Sequence, residues 1–417
     1  MDTEFEESTV TVFHLPPIDD PKCTNLKNWK IPKFEELDTL LCNTKSLIDA
    51  PYAKSATQWD NVTKKYEPSY HIAKRLKVYI PIVTNAGSKI YELMHCFHKY
   101  IFHKDMKTIV HFDNASMPGI FPYTVNYYVQ AFAPTVKYDW YASSLIESNE
   151  LDKSPLRDDY RLWKNYPNRW LMDEKHNGDV MDPDVQAYFK KRLGGKVDLY
   201  TSDIGFDVSR DYNAQETLQS PANLGQILSG LVTLKKGGVM MTKQFTYMHC
   251  FTISLMGLIT RLFDKVYITK PTTSKPDNSE TYLVGVGYKG FNATVIDALT
   301  KHLADANVII DDKIVPMKPL IQKGCISNAF IKALTESNIH FTNSTVAKIR
   351  QNLDDFAKRV PGEHNKNPAR RLEMDETVDN WFVANPVKHI RPEQQLKSQH
   401  YQQKKYRPGK NRRRSKK

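Results

Sequence analysis

Short apolar runs rich in β-branched and aromatic residues alternate with longer helical patterns through the middle of the chain. Such runs predict β-strands, because their side chains suit a sheet that is buried on both faces. The runs begin at Thr108, Val136, Val197, Gly237, Lys265 and Thr281. Strands alternating with helices indicate an α/β fold with a mostly parallel sheet, which binds ligands at the carboxyl ends of its strands.

The last two runs differ from the others in how they are connected. Only the segment TTSKPDNSE separates KVYITKP from TYLVGVGY. This segment is too short for a helical crossover, so the last strand is predicted to run antiparallel to its neighbour.

The pattern divides the chain into four predicted segments. Residues 1–70 form an N-terminal accessory segment with an amphipathic helix over 34–48, and residues 71–291 form the α/β domain. Residues 292–388 form a helical region, which includes VIDALTKHLADA and TVAKIRQNLDDFAKRV. From residue 389 on, the chain has few aliphatic side chains and is predicted to be a flexible basic tail.

Composition and charge narrow the class of protein. The 417 residues are 40% hydrophobic and 25% charged, which excludes disorder throughout. The N-terminus, MDTEFEES, is acidic and predicts no secretion signal, while the most apolar window, 251–263, is too short to cross a bilayer. The five cysteines include no CxxC pair and predict free thiols in a reducing compartment, so the chain is expected in the cytoplasm.

Three charged residues stand at strand ends and are candidates for chemistry. Asp203 ends VDLYTSD, Lys243 lies near the end of GGVMMTKQF, and Glu280 opens NSETYLVG. Strand ends of an α/β sheet face one cleft, where two carboxylates can orient a lysine amine and influence its charge. The alternative is a surface ion-pair network without a catalytic role.

The segment TIVHFDNASMPGIF places Asp113, Pro118 and Gly119 just after the first strand of the domain. A tight turn there allows the backbone to approach a nucleoside ligand at the start of the next helix. The segment lacks GxGxxG and GxxxxGK[ST], so neither a nicotinamide dinucleotide nor a nucleoside triphosphate cradle is expected.

An ordered set of motifs resembles the FtsJ-like, or RrmJ-type, RNA ribose 2′-O-methyltransferases. The motifs are GSKIYELM, FDNASMPGIF, HNGDV, DLYTSDIGFD, GGVMMTKQF and TSKPDNSETYLVGVGYKGF. The last motif is the most specific, and the set looks most similar to cap methyltransferases that act on the second transcribed nucleotide. The organisation would suit a homologue from a large cytoplasmic DNA virus.

The resemblance implies a Rossmann-like methyltransferase with a seven-stranded sheet, S-adenosylmethionine as methyl donor and a Lys-Asp-Lys-Glu tetrad. Asp203, Lys243 and Glu280 match its last three members, and Lys89 fits the first position better than Lys99 or Lys104. In this family chemistry Lys243 accepts the proton of the ribose 2′-hydroxyl and the other three orient it. No metal is implied, and the cluster His95, Cys96, His98 and His103 is expected to lie on a helix rather than to bind zinc.

The resemblance also assigns cofactor contacts. They are Asp113, Asn114, Ala115, Pro118, Gly119, Trp140, Tyr141, Asp179 and Asp203. Asp179 matches the acid that contacts adenine; its alternative role is a helix N-cap, which Asp182 fills more naturally. Trp140 and Tyr141 follow a strand and can equally be core aromatics.

Two residues depart from the family pattern, since Met117 and Ile120 are bulky where small residues are usual. They leave open a non-catalytic RNA-binding or scaffold protein on the same fold. Methylation of ribosomal or transfer RNA is a further alternative to methylation of the cap.

Positive charge is concentrated at the C-terminus. From Lys388 on there are twelve Lys or Arg and one Glu, so the rest of the chain is almost neutral. Such a run can bind RNA phosphates, or it can serve solubility or nuclear localisation. The candidate RNA contacts are Lys404, Lys405, Arg407, Arg412, Arg413 and Arg414. The expected partners are capped mRNA or other RNA and other capping or transcription proteins, with no membrane.

Overall fold

One mixed sheet organises the computed structural model, which describes residues 3–18, 26–146, 158–205, 208, 211–358 and 368–397. Its strands are β1 (Thr11–Leu15), β2 (Thr108–Asn114), β3 (Lys137–Ala142), β4 (Val197–Ser202), β5 (Leu234–Gln244), β6 (Phe263–Lys270) and β7 (Thr281–Tyr288). A separate hairpin pairs β8 (Ile309–Ile310) with β9 (Lys313–Ile314).

The strand order in the large sheet is β1-β6-β7-β5-β4-β2-β3. Strands β3, β2, β4 and β5 are parallel, while β7 lies between β5 and β6 and is antiparallel to both. The seven-stranded, mostly parallel sheet with an antiparallel last strand is therefore confirmed. Six strands were predicted from the pattern; the seventh, β1, was not, and it pairs antiparallel with β6.

Helices cover both faces of the sheet. They are α1 (Pro32–Ser46), α2 (Asp49–Lys65), α3 (Pro68–Leu76), α4 (Asn85–Cys96), α5 (His98–Ile101), α6 (Ile120–Phe132), α7 (Leu162–Asn165), α8 (Pro183–Leu193), α9 (Gln215–Thr233), α10 (Cys250–Leu262), α11 (Ala293–Ala304), α12 (Asn328–Ala357) and α13 (Pro368–Ala384). Neighbours on β4 show the two-sided burial, because Leu199 and Tyr200 enter different hydrophobic clusters. The strands are therefore apolar along their length and their polar residues concentrate at the ends.

The N-terminal segment is part of this architecture. It supplies the edge strand β1, and α1 packs along α12 from the far end of the chain. The amphipathic helix predicted over 34–48 corresponds to α1, whose buried residues include Phe34, Leu37 and Leu41. The segment thereby closes one edge of the sheet.

The residues that follow α13 are held on the domain as far as residue 397. Asn126 on α6 donates from Nδ2 to the carbonyl oxygen of Gln394 at 2.9 Å. The Tyr127 hydroxyl donates to the carbonyl oxygen of Lys388 at 2.8 Å. The start of the predicted basic tail therefore contacts α6. The predicted RNA contacts from Lys404 to Arg414 lie outside the described residues.

The cysteines correct one expectation. Cys42, Cys96 and Cys250 are free thiols, as predicted, but the prediction is wrong for Cys325, which is disulfide-bonded. Contacts between distant parts of the chain occur close to Cys325, since Trp29 donates from Nε1 to the carbonyl oxygen of Ile321 at 3.0 Å. Cysteine spacing along the sequence does not reveal such contacts.

Candidate active site

The four residues predicted to be catalytic meet at the carboxyl end of the sheet. Lys89 lies on α4, Asp203 follows β4, Lys243 lies near the end of β5, and Glu280 precedes β7. Lys89 Nζ is 2.6 Å from Glu280 Oε1, and Lys243 Nζ is 3.1 Å from Asp203 Oδ1. Lys243 also donates to the backbone oxygen of Asp203 at 3.0 Å. None of the four side chains is more than 17% exposed, so they form one cleft.

The register of β5 and β7 explains why these side chains converge. Lys243 stands opposite Tyr282, and directly opposed residues project to the same face of a sheet. Glu280 precedes Tyr282 by two positions, which places it on that face as well. The Tyr282 hydroxyl donates to Asp203 Oδ1 at 2.8 Å. Tyr282 was missed by sequence reasoning, although its spacing from Glu280 is a usable signal.

Charges in the cleft stabilise one another. Burial by itself lowers the pKa of Lys89, but the charges of Glu280 and Asp203 outweigh it and raise this pKa. Burial by itself raises the pKa of Glu280, but Lys89 and Lys243 outweigh it and lower this pKa. Both members of the Lys89–Glu280 pair are therefore ionised at neutral pH.

A buried carboxylate anchors the loop 271–280, which carries Glu280. Glu92, one turn after Lys89 on α4, is fully buried. Its oxygens accept hydrogen bonds from the backbone nitrogens of Thr272 and Thr273 at 2.9 and 3.0 Å, and from the Thr273 hydroxyl at 2.7 Å. A single helix thus holds both the start and the end of the loop 271–280.

Lys270, the last residue of β6, holds the same loop from the other side. Its Nζ donates to the backbone oxygens of Asn278 and Glu280, both at 2.8 Å, and to Asn278 Oδ1 at 3.0 Å. Burial lowers the pKa of Lys270 to about 8. Sequence reasoning missed Lys270 and Glu92, because the acceptors that define their role come from a loop whose path the sequence does not show.

The predicted cofactor turn, residues 113–119, has the backbone that a close approach requires. Ala115 has φ 55° and Gly119 has φ 96°, both in the left-handed region. Asn114 accepts a hydrogen bond from the Ala115 nitrogen through Oδ1 at 2.8 Å and so stabilises the turn. Gly119 is required for space as well, since a Cβ there would lie 2.6 Å from Leu162 Cδ1.

The Asp113 carboxyl links two strand ends. It is buried and accepts a hydrogen bond from Thr201 Oγ1 at 2.5 Å across the β2–β4 pair. Burial raises the pKa of Asp113 to about 8, so the group is largely protonated at neutral pH. Its observed role is to fix the position of the turn.

Two further loops complete the surroundings of the turn. The nitrogen of Met117 donates to Ser144 Oγ at 2.7 Å, and a Cβ on Gly178 would lie 2.1 Å from the Ser144 carbonyl oxygen. Asp179, which follows Gly178, is half-buried and accepts from the Met181 nitrogen through Oδ1. No described residue hydrogen-bonds to Asp179 Oδ2, so this oxygen can accept from an adenine amino group. Asp182 caps α8, as predicted.

The bulky residue Ile120 does not fill the turn. Its side chain is 7% exposed, and its Cγ1 would lie 3.0 Å from a Cβ on Gly87 of α4. Ile120 therefore packs on α4 where a glycine makes room for it. Met117 packs against the hydrophobic cluster on the same side of the sheet.

The two aromatic residues of β3 occupy different surroundings. Trp140 is 3% exposed and packs edge-on against Tyr166 and Trp170. Its position favours the core role that the sequence left open. Tyr141 is half-buried, with its ring centre 5.2 Å from the guanidinium carbon of Arg169.

Replacing Gly178 by alanine is expected to weaken S-adenosylmethionine binding at least tenfold. Gly178 has φ 79°, and the added Cβ would collide with the backbone of Ser144, so the loop bearing Asp179 must move away from the turn. Calorimetric titration with the cofactor measures the loss. Gly195 has φ 67° but open space around it, and Gly195→Ala serves as the control. Equal affinities of the two variants would contradict the prediction.

The residues at the turn fit S-adenosylmethionine. The left-handed backbone of 113–119 and the free oxygen of Asp179 supply the close approach and the acceptor that an adenosine group needs. Among the described residues no group of three or more His, Cys, Asp or Glu side chains is placed to hold a metal ion. His95, weighed as a zinc ligand, packs against the rings of Tyr128 and Phe132.

Comparison with known proteins agrees with this geometry. Residues 82–288 match the FtsJ-like methyltransferase family. A protein of African swine fever virus named "Probable methyltransferase" is 36% identical over 278 residues, which cover 61% of this chain and 62% of that protein. The mouse protein named "Cap-specific mRNA (nucleoside-2'-O-)-methyltransferase 2" is 29% identical over 253 residues, which cover 60% of this chain and 32% of that protein. The chain thus spans less than two thirds of the length of these relatives. Residues 82–288, just under half of the chain, thus form an FtsJ-like methyltransferase domain.

Proposed function

We propose that this protein is an S-adenosylmethionine-dependent RNA ribose 2′-O-methyltransferase that acts near the 5′ cap of mRNA. The observation that carries the proposal is the convergence of Lys89, Asp203, Lys243 and Glu280 in one cleft of an FtsJ-like domain. The cap as target is supported by the name of the mouse relative.

The tetrad supplies a base held in a fixed position. Bound S-adenosylmethionine supplies a methyl group on a positively charged sulfur. A ribose 2′-hydroxyl is a poor nucleophile until it begins to lose its proton, and the Lys243 side chain accepts that proton when its amine is neutral. Two contacts to Asp203 hold the Lys243 side chain in place. The neighbouring Lys89 and Glu280 pair with each other and so keep each other charged. Holding the hydroxyl in line for attack contributes much of the rate, since good orientation is worth roughly 7 to 11 kcal/mol.

Incubation with labelled S-adenosylmethionine tests the proposal. The full-length chain is given capped and uncapped transcripts of one sequence, and digestion of the RNA locates the label. We expect label on a ribose 2′-oxygen near the cap and little on uncapped RNA. Equal labelling of both transcripts would indicate the ribosomal or transfer RNA type of enzyme.

A non-catalytic scaffold is the second candidate, suggested by Met117 and Ile120. Ile120 packs on α4 and not in the turn, so only Met117 still favours the scaffold. Calorimetry with S-adenosylmethionine separates the two candidates, because a scaffold with a blocked turn would release no heat on titration.

Deleting residues 398–417 is expected to weaken RNA binding and to flatten its salt dependence. The deleted segment carries nine Lys or Arg and no acid, and each lost phosphate contact lowers the slope of log affinity against log salt by about 0.7 for a single strand. The cut leaves the contacts of residues 388–397 to α6 intact. Turnover of a short capped oligonucleotide should be retained, and an unchanged salt slope would refute the role of the tail.

The proposed partners and location follow from the same comparison. Capped mRNA is the proposed substrate, and other capping or transcription proteins are proposed partners. The viral relative supports the cytoplasm of an infected cell or the virion as the location, and nothing in the described structure supports the nuclear alternative. None of the described helices combines the length and apolarity needed to span a membrane.

A further inference from the structure

Helix α1 contacts two loops that adjoin the tetrad, although it precedes residues 82–288 in the chain. Leu41 lines a cavity together with Lys270 and with Asn278 and Ser279 of the loop 271–280. On the other side, Ser46 Oγ accepts a hydrogen bond from Asn213 Nδ2 at 3.2 Å. The last turns of α1 therefore lie between the loop that follows Asp203 and the loop that carries Glu280.

Lys45 is the cation that α1 brings to this position. It follows Leu41 by one helical turn, so the two side chains lie on the same face of the helix. Lys45 is half-buried and forms no ion pair or hydrogen bond with any described residue. Burial lowers the pKa of Lys45, and Asp38 and Cys42 on its own helix oppose that effect. By contrast, Lys33 on α1 is exposed and pairs with Glu36 at 2.9 Å.

Two cations near the tetrad, Lys45 and Lys270, form no ion pair with any described residue, whereas the tetrad residues pair with one another. Lys89 is paired with Glu280 and Lys243 with Asp203. Lys270 is bonded to carbonyl and amide oxygens, which carry no net charge, and it is close enough to Lys45 for their charges to repel. A partly desolvated, unpaired ammonium is costly, so an anion at this place would stabilise it.

An exposed aromatic residue lies on the loop that contacts this end of α1. Tyr212 is 65% exposed and immediately precedes Asn213, whose backbone oxygen contacts Cys42 Sγ at 3.7 Å. Large exposed rings next to unpaired cations suit single-stranded RNA, because bases stack on the ring while phosphates meet the charge.

We propose that Lys45 and Tyr212 form an RNA-binding subsite at the mouth of the cleft, with Lys45 on a phosphate and Tyr212 stacked on a base. The subsite rests on the proposed function, since it presents the ribose of the same strand to Lys243. Lys45 lies outside residues 82–288, the part of the chain that matches the family, whereas Tyr212 lies within that part. The N-terminal segment thus contributes directly to substrate binding.

Fluorescence anisotropy with a labelled RNA tests the subsite in the full-length chain that carries Lys243→Ala to prevent turnover. Adding Lys45→Ala should weaken binding about three- to tenfold and lower the salt slope by about 0.7, the effect of one lost phosphate contact. Lys45→Arg should preserve both quantities, and Lys33→Ala on the same helix is the matched control. Tyr212→Ala should weaken binding at least fivefold without changing the slope, whereas Tyr212→Phe should bind normally.

The arms of the experiment separate the possible outcomes. Equal losses with capped and uncapped RNA assign the contact to a backbone phosphate, and a loss confined to capped RNA assigns it to the triphosphate bridge of the cap. An unchanged slope in Lys45→Ala, or the same loss in Lys33→Ala, overturns the subsite. Methylation by the wild-type chain is measured in parallel: if it methylates RNA while Lys45→Ala binds normally, the subsite fails and the proposed function stands. If RNA binding depends on Lys45 but the wild-type chain methylates no RNA, the subsite stands and the proposed function fails.

Discussion

Replacing Lys243 by alanine is expected to reduce methyl transfer by about 10³-fold or more, within the range that a lost general base produces. The Lys243 amine lies 3.1 Å from Asp203 Oδ1 and is the proposed acceptor of the 2′-hydroxyl proton. Lys243→Arg should be equally inactive, because a guanidinium keeps its charge but cannot release its proton to act as a base. Single-turnover assays with labelled cofactor measure the loss.

Controls for Lys243→Ala distinguish lost chemistry from lost structure. Cofactor affinity should change little, since the turn 113–119 follows β2 and Asp179 lies on the loop before α8. Lys235→Ala is the matched control on the same strand, where Lys235 is 44% exposed and pairs with Asp198. Retained turnover in Lys243→Ala would contradict the proposed mechanism, even if the protein binds cofactor and RNA.

Replacing Lys270 by methionine is expected to lower kcat by roughly 30- to 100-fold. Methionine has a similar length but no donor, so the loop 271–280 would lose three hydrogen bonds from a charged group, each worth about 1.5–3 kcal/mol. Asn278 would keep only the bonds from the Thr345 hydroxyl and the Glu280 nitrogen. The loop would then hold Glu280 less firmly against Lys89. Steady-state kinetics should show the effect in kcat, with the affinity for S-adenosylmethionine nearly unchanged.

A double-mutant cycle separates positioning by Lys270 from a general loss of stability. If Lys270 acts through Glu280, then Lys270→Met adds little to the defect of Glu280→Gln, because both remove the same arrangement. Lys265→Met on the same strand is the control, since Lys265 is exposed and pairs with Glu4 at 3.1 Å. If the loss of kcat in the double variant equals the product of the two single losses, Lys270 does not act through Glu280 and the positioning role is contradicted.

Part of the site could be predicted because strand ends are visible in the sequence. Asp203, Lys243 and Glu280 each adjoin an apolar run, and the rule that strand ends share a cleft brings them together before any coordinates are known. The pairing of β6 with β7 was predictable for a similar reason, because the short connection leaves no alternative direction. These predictions rest on local pattern alone.

Other parts of the site depend on contacts that local pattern does not encode. Glu92 and Lys270 gain their roles from oxygens and nitrogens of one irregular loop, and Ile120 has room on α4 because Gly87 lies opposite it. The strand β1 is five residues long and pairs with a strand far along the chain. In each case tertiary packing determines the partner. The sequence alone therefore does not show that these residues have a particular role.

The pairing of β1 with β6 also constrains how the protein folds. Strand β1 precedes the other strands of the large sheet in the chain and pairs with β6, which comes about 250 residues later, and such distant pairing is slow. Lys270 ends that late strand, and the loop with Glu280 follows it directly. The pairing of β1 at the sheet edge and the placement of Glu280 therefore both depend on the same late segment of the chain, β6 with the loop that follows it.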